Sequence, residues 1–188
     1  MAKPTDGRAS PIIVSLGERS LSAQQIEDID AIFFGASATQ SFPSAAAREA
    51  FRERWLGRYL TQFPQDTLII QDKNAGVLGY LVGARIDPAT DPRFADIGYF
   101  AALADVTPHY PAHLHINLAE AARSGGVGTQ LVETFCTRLR ADGLPGVHVV
   151  TGAHSRNRAF YDRLGFVLVR ALDWNGAAIV MLGKPLSP

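Results

Sequence analysis

Apolar residues recur along this chain with two different periods, and each change of period marks an element boundary. Ile12, Ile13 and Val14 form a short β-branched run within Pro11–Leu16 that predicts a first strand. Ser22 can cap a helix whose Ile26, Ile29, Ile32 and Phe33 recur every three to four residues. Ser44, after Pro43, opens a second helix with Phe51, Trp55, Tyr59 and Phe63 along one face, ended by Pro64. Thr67 to Gln71 and Val77 to Ile86 read as two strands, joined by turn-forming residues from Asp72 to Gly76. The stretch from Asp87 to Pro111 is long and irregular, and its Tyr99, Phe100 and Tyr110 suit the wall of a pocket better than a tether.

Strict alternation returns at His113 to Leu118, a predicted strand with Leu114, Ile116 and Leu118 on one face and His113, His115 and Asn117 on the other. A glycine-rich turn then leads into a helix with Leu131, Val132, Phe135 and Leu139 on its buried side, broken by Gly143, Pro145 and Gly146. Val147 to Val150 is a predicted central strand, and Ser155 to Leu164 a helix stopped by Gly165. Phe166 to Leu172 and Ala178 to Leu182 complete the sheet around the turn Asp173-Trp174-Asn175-Gly176. The order predicts a mixed α/β fold with no internal repeat: residues 1–10 a flexible tail, residues 11–188 one domain.

Composition narrows the classes. With 188 residues, 47% hydrophobic and 19% charged, the chain can bury a sizeable core. Lys plus Arg equals Asp plus Glu at 18 each, so there is no basic surplus and nucleic acid is not an expected partner. No run approaches the roughly 20 apolar residues of a membrane helix, so no membrane partner is expected. The one cysteine, Cys136, excludes an intrachain disulfide and suits a reducing, cytoplasmic compartment.

The segment from Leu118 to Leu131 carries the chemistry. Ser124-Gly125-Gly126-Val127-Gly128 turns from a strand into a helix, and glycines there allow close backbone approach to a ligand. Free N–H groups and the helix dipole suit a pyrophosphate without any lysine. The plain alternative is a simple strand-to-helix turn. A P-loop fails on spacing, because Thr129-Gln130 follows Gly128, and the dinucleotide-binding glycine pattern is absent.

Arg123-Ser124-Gly125-Gly126-Val127-Gly128 matches Arg/Gln-x-x-Gly-x-Gly/Ala, and the chain thereby resembles the Gcn5-related N-acetyltransferases (GNAT). Tyr161-Asp162-Arg163-Leu164-Gly165-Phe166 is similar to the Tyr-x-x-x-Gly-Phe end of a later helix of that family. More narrowly, 91–99 and 110–116 resemble the acetyltransferase-like C-terminal domain of animal O-GlcNAcases and its stand-alone bacterial relatives.

The resemblance implies a mostly antiparallel central sheet of six to seven strands with about four helices, and acetyl-CoA as cofactor. It implies direct acetyl transfer to a primary amine of a small molecule or protein. Cofactor contacts would come from the backbone of Ile116, Asn117 and Leu118 and from Arg123, Ser124, Gly125, Gly126, Val127, Gly128 and Thr129, with His154, Asn157 and Tyr161. Tyr161 would protonate the leaving thiolate, or else pack in the core beside Phe160 and Phe166. His115 would relay a proton from the amine, or else be a satisfied buried imidazole. Asn117 stands where many relatives carry an acid, and His154 where the family usually has Asn; Asn157, one turn on, can substitute or merely cap a helix. These departures leave a catalytically inactive CoA-binding module as the alternative. Acceptor contacts are expected from Phe34, Tyr99, Tyr110 and His113, no metal site is expected, and the oligomeric state is left open, a homodimer included.

Overall fold

Hydrophobic periodicity becomes strand and helix in a computed structural model that describes residues 11–74 and 76–186. The tail expected over residues 1–10 lies outside the described residues. The strands are β1 Ile12–Ser15, β2 Leu68–Gln71, β3 Val77–Ala84, β4 Ala112–Leu118, β5 Gly146–Gly152, β6 Val167–Trp174 and β7 Ala177–Pro185. They form one mixed sheet in the order β1-β2-β3-β4-β5-β7-β6. The α-helices are α1 Ala23–Ala36, α2 Ala45–Arg52, α3 Arg58–Gln62, α4 Val127–Ala141 and α5 Arg158–Arg163. The described residues fall into two compact units, one comprising those up to Leu81 with Ile116–Leu131, the other Val82–His115 with those from Val132 onward.

In the first unit, β1 and β2 run antiparallel from Ile12↔Gln71 to Ser15↔Leu68, and β2 pairs antiparallel with β3. Every residue of β2 is buried, as expected of a strand covered on both faces. Ser22 and Gln25 form a reciprocal cap at the start of α1: Gln25 N–H donates to Ser22 Oγ at 3.2 Å, and Ser22 N–H to Gln25 Oε1 at 3.0 Å. Gln25, Ile29 and Phe33 then turn inward.

The second predicted helix is not uniform. After α2 the chain widens into a π-turn over Glu53–Gly57, where Arg58 N–H reaches Glu53 C=O, before α3 resumes and Pro64 follows. The reason lies in the spacing of Phe51, Trp55, Tyr59 and Phe63. Residues four apart drift around a regular helix of 3.6 residues per turn, and one wider turn brings the stripe back toward the core.

At Gly79 a side chain has no room: a Cβ would lie 2.9 Å from Asn117 C=O and 2.5 Å from Leu118 Cδ2. Glycine there permits the close approach of β3 to the end of β4, where Ala119 N–H donates to Leu78 C=O.

In the second unit, β5 pairs antiparallel with β7 from Gly146↔Pro185 to Gly152↔Ile179, and β7 with β6. β4 runs parallel to β5 at Ala112↔Val147 and His113↔His148. The long irregular stretch is built of three 3₁₀ turns, Pro92–Phe94, Gly98–Leu103 and Thr107–His109. Phe94, Ile97, Phe100 and Leu103 are buried at intervals of three, the period of that tighter helix. Sequence patterning missed them because templates of 3.6 and 2 do not register a stripe of 3.

Candidate functional site

The glycine-rich turn sits in the first unit. β4 ends, a 3₁₀ turn Glu120–Ala122 follows, and Arg123 leaves it in an extended conformation. Ser124 and Gly126 both take positive φ, 67° and 77°. Gln130 N–H is the first to bond back into α4, onto Gly126 C=O. The amides of Val127, Gly128 and Thr129 therefore have no acceptor within the helix. Ser124, Gly125 and Gly126 are exposed, and a Cβ at Gly126 would meet nothing within 4 Å. Backbone conformation rather than crowding thus selects glycine at 126. Amides exposed on a turn of this shape, at the positive end of a 15-residue helix, make an anion-binding concavity. Those features fit the diphosphate of coenzyme A, which needs several N–H donors and open space rather than a specific side chain.

Along β4, Ile116, Asn117 and Leu118 are half-buried. Asn117 is held by a residue the sequence did not single out: its Nδ2 donates to Tyr80 Oη at 2.8 Å. Burial first, opposed by this bond, holds the Tyr80 phenol above its ordinary pKa, and the nearby Asp30 charge pushes the same way. Tyr80 stays a neutral hydroxyl and Asn117 keeps its Oδ1 for another donor. Asp30 in turn accepts from Arg52 Nε at 2.8 and 2.9 Å.

One turn along the same two helices, Phe34 and Arg48, with Phe42 from the segment that joins them, line an open recess of about 410 Å³. Phe34 packs edge-on to Phe33 at 4.9 Å and to Phe42 at 6.0 Å, and the Arg48 guanidinium carbon lies 3.5 Å from the centre of its ring.

In the second unit, α5 is shorter than the predicted Ser155–Leu164 helix. Asn157, just before it, accepts from Thr151 Oγ1 at 3.0 Å, and its carbonyl receives the amides of Phe160 and Tyr161. The end of α5 explains the Tyr-x-x-x-Gly-Phe spacing physically. Phe166 N–H donates to Tyr161 C=O and Gly165 N–H to Asp162 C=O, with Gly165 at φ 80°, which is a Schellman closure. The hydrophobic contact that accompanies such closures is Tyr161 on Phe166, with ring centres 5.3 Å apart. Tyr161 is only 2% exposed, and burial drives its phenol pKa above the ordinary value, so the hydroxyl keeps its proton at neutral pH. His154 is exposed on the preceding loop.

The remaining residues considered for the acceptor also lie in this unit. His113 is 2% exposed, with Phe94 at 4.7 Å, Phe100 at 5.5 Å and His148 at 5.7 Å between ring centres. His115, one alternation further, is half-buried, its ring 6.5 Å from that of His113. His148 Nδ1 faces Tyr110 C=O at 2.6 Å, a geometry that requires Nδ1 to carry the proton. Burial depresses the His148 pKa to about 4. Tyr110 lies over Gly183 and Gly146, where any Cβ would be within 3 Å of its ring. Tyr99 stacks edge-on against Phe100 at 4.7 Å and Trp174 at 6.4 Å. Cys136 is fully buried, its thiol pKa pushed up by that burial.

Tyr80, the partner of Asn117, and Arg48, the neighbour of Phe34, are two residues that sequence reading passed over. The one available signal for Tyr80 was a lone aromatic hydroxyl on a strand otherwise wholly apolar between Val77 and Val82. Arg48 had none, since an arginine on a helix surface is ordinary. Among the described residues, no helix is long and apolar enough to cross a membrane.

Comparison with known proteins agrees with this geometry. Over residues 33–166 the chain matches the acetyltransferase (GNAT) family. It is similar in fold to the crystal structure of SsHAT, at 24% identity over 96% of this chain and 100% of that one, with a TM-score of 0.69. It is similar to a phosphinothricin acetyltransferase from Sinorhizobium meliloti solved with AcCoA, at 18% identity over 94% and 89%, TM-score 0.60. A chain of the NatC complex bound to Gag peptide and CoA matches at 16% identity over 95% and 100%, TM-score 0.62. With its α/β sheet and its match over residues 33–166, the chain belongs to the acetyltransferase (GNAT) family.

Proposed function

We propose that the protein is an N-acetyltransferase that uses acetyl-CoA to acetylate a primary amine of a small molecule or protein. The observation that carries this reading is the row of amides at Val127, Gly128 and Thr129 that precedes the first bond back into α4, behind the exposed positive-φ turn Ser124–Gly126. Those amides, with Arg123 alongside, bind the diphosphate, and the backbone of Ile116 to Leu118 holds the pantetheine arm. Acetyl-CoA, when bound, supplies an acetyl group activated as a thioester. A backbone N–H of that β4 segment serves as oxyanion donor.

Asn117 cannot take a proton, but its Oδ1 can accept an N–H of the incoming amine and orient the nitrogen lone pair. Tyr80 fixes the side chain so that this oxygen is presented. His115 accepts the proton that the amine loses. Tyr161, kept protonated by burial, donates its hydroxyl proton toward the departing sulfur. Asn157, its Oδ1 engaged by Thr151, retains Nδ2 as a donor to the cofactor, with exposed His154 beside the same loop. Within the family, we assign the chain to the group that includes the O-GlcNAcase C-terminal domain. What supports this is the match of residues 91–99 and 110–116, which lie in and beside the 3₁₀ segment that buries Phe94 and Phe100.

The test is thiol release from acetyl-CoA across an amine panel, together with calorimetric binding of CoA. Turnover with one amine class, strongly reduced in Tyr161→Phe, is the expected result. Tight CoA binding without turnover on a wide panel would instead make the chain a CoA-binding module, and failure to bind CoA at millimolar concentration would overturn the assignment.

A further inference from the structure

The recess between α1 and α2 carries charge of one sign. Phe34, Thr39, Gln40, Phe42, Ser44 and Arg48 line it, and no acidic residue does. The acids nearest along the two helices are already engaged: Arg52 holds Asp30 through two bonds from Nε and lies 3.7 Å from Glu49. Among the described residues, no carboxylate lies within ion-pair distance of Arg48; its side chain rests on the Phe34 ring instead. The ring contact uses the guanidinium carbon and leaves the N–H donors of Arg48 as the groups that can receive a planar carboxylate. Gln40, also in the lining, donates its Nε2 to the carbonyls of Phe34 and Ser37. The edge-on Phe34 and Phe42 rings form an apolar wall beside the charge.

Phe34 is one turn beyond Asp30 and Arg48 one turn before Arg52, and both members of that ion pair act electrostatically on Tyr80, the hydroxyl that holds Asn117. Arg48 rests on Phe34 while Asn117 is held by Tyr80, so the two stand at separate points of the first unit.

We propose that the Arg48–Phe34 recess binds a carboxylate of the acyl acceptor, so that the enzyme selects an amine bearing a carboxylate at the far end of a flat or apolar spacer. The proposal deepens the acetyltransferase reading and rests on its assignment of the amine to Asn117. The carboxylate and the amine are therefore expected at opposite ends of the acceptor rather than on one carbon.

The experiment compares 4-(aminomethyl)benzoate, its carboxamide and benzylamine, in turnover and in direct binding by ligand-observed NMR, for wild type, Arg48→Gln and Arg48→Lys. The expected result is a KM, and a Kd, about tenfold lower for the carboxylate than for the carboxamide in wild type. That ratio should fall to near one in Arg48→Gln and be partly restored in Arg48→Lys. Turnover without carboxylate preference, or a preference that survives Arg48→Gln, overturns the proposal and leaves the acetyltransferase reading intact. Carboxylate-dependent, Arg48-dependent binding without any turnover supports the recess and counts against the acetyltransferase reading. A loss of CoA affinity in Arg48→Gln would mean that the arginine serves a cofactor phosphate, and would overturn the carboxylate assignment.

Discussion

Asn117 on β4 donates its side-chain amide to the hydroxyl of Tyr80 on β3 at 2.8 Å, tying a residue without base character to a phenol that burial keeps neutral. The bond restricts the rotation of Asn117 and leaves Oδ1 as its remaining acceptor. Tyr80→Phe should free the amide. A buried hydrogen bond contributes about 1 kcal/mol, so kcat/KM for the amine should fall about fivefold to tenfold. CoA affinity should stay within a factor of two, as measured by calorimetry. An unchanged kcat/KM would remove Asn117 from the mechanism.

Gly126 has open space around its missing Cβ but a φ of 77°. Gly126→Ala should therefore cost about 1 kcal/mol from the backbone alone, read as a lowered Tm. Gly126→Val adds a branched side chain at the mouth of the amide row and should weaken CoA binding at least tenfold. A valine variant that binds CoA as wild type does would show that the turn is not the diphosphate site.

Tyr161 packs on Phe166 with burial raising its pKa above that of an ordinary tyrosine. The sign matters: the phenolate is the penalised form, so the proton is retained to higher pH than usual. Tyr161→Phe should keep the ring packing and lower kcat about 100-fold while leaving the KM for acetyl-CoA nearly unchanged. In wild type, kcat should not decline between pH 7 and about 9.5 on account of this group. A decline centred below pH 9 that disappears in Tyr161→Phe would contradict the buried, neutral phenol.

His148 is fully buried, with its pKa lowered by burial from 6.5 to about 4. Above pH 6.5 both folded and unfolded imidazoles are neutral and stability is complete. As pH falls toward 4, the unfolded chain takes up the proton first, so stability is lost through that window and levels off below it. The shift corresponds to about 3 kcal/mol at 1.36 kcal/mol per pH unit. Urea unfolding at pH 7.5, 6, 5 and 4 should show this loss. His148→Asn, which keeps a donor for Tyr110 C=O, should be less stable at neutral pH but with a flatter slope. Parallel slopes would exclude His148 as the source.

Much of the fold was readable because its causes are local. The Ser22 cap, the stop at Pro64 and the glycine at 165 each depend on residues within a few positions, and each appears where the pattern put it, whereas β4 forms as predicted but is buried along its first half on both faces rather than in alternation. The Arg123–Gly128 and Tyr161–Phe166 spacings were legible for the same reason: one encodes positive-φ positions before a helix, the other a Schellman closure after one. Where the reading went astray, the period was unusual. The π-turn at Glu53–Gly57 and the three-residue stripe of Phe94, Ile97, Phe100 and Leu103 follow neither of the common templates.

By itself, then, the sequence determined the elements, their caps and the conformational demands of the cofactor turn, since short-range sterics and hydrogen bonding dictate these. Tertiary structure alone decided which side chains meet. Tyr80 and Asn117 are 37 residues apart and become partners only through the close approach of β3 to β4 that Gly79 permits. Arg48 acquires its place over Phe34 only because α1 and α2 pack with their aromatic faces together. Such pairings depend on strand register and helix packing, which are set by the whole core at once and leave no periodic mark on the chain.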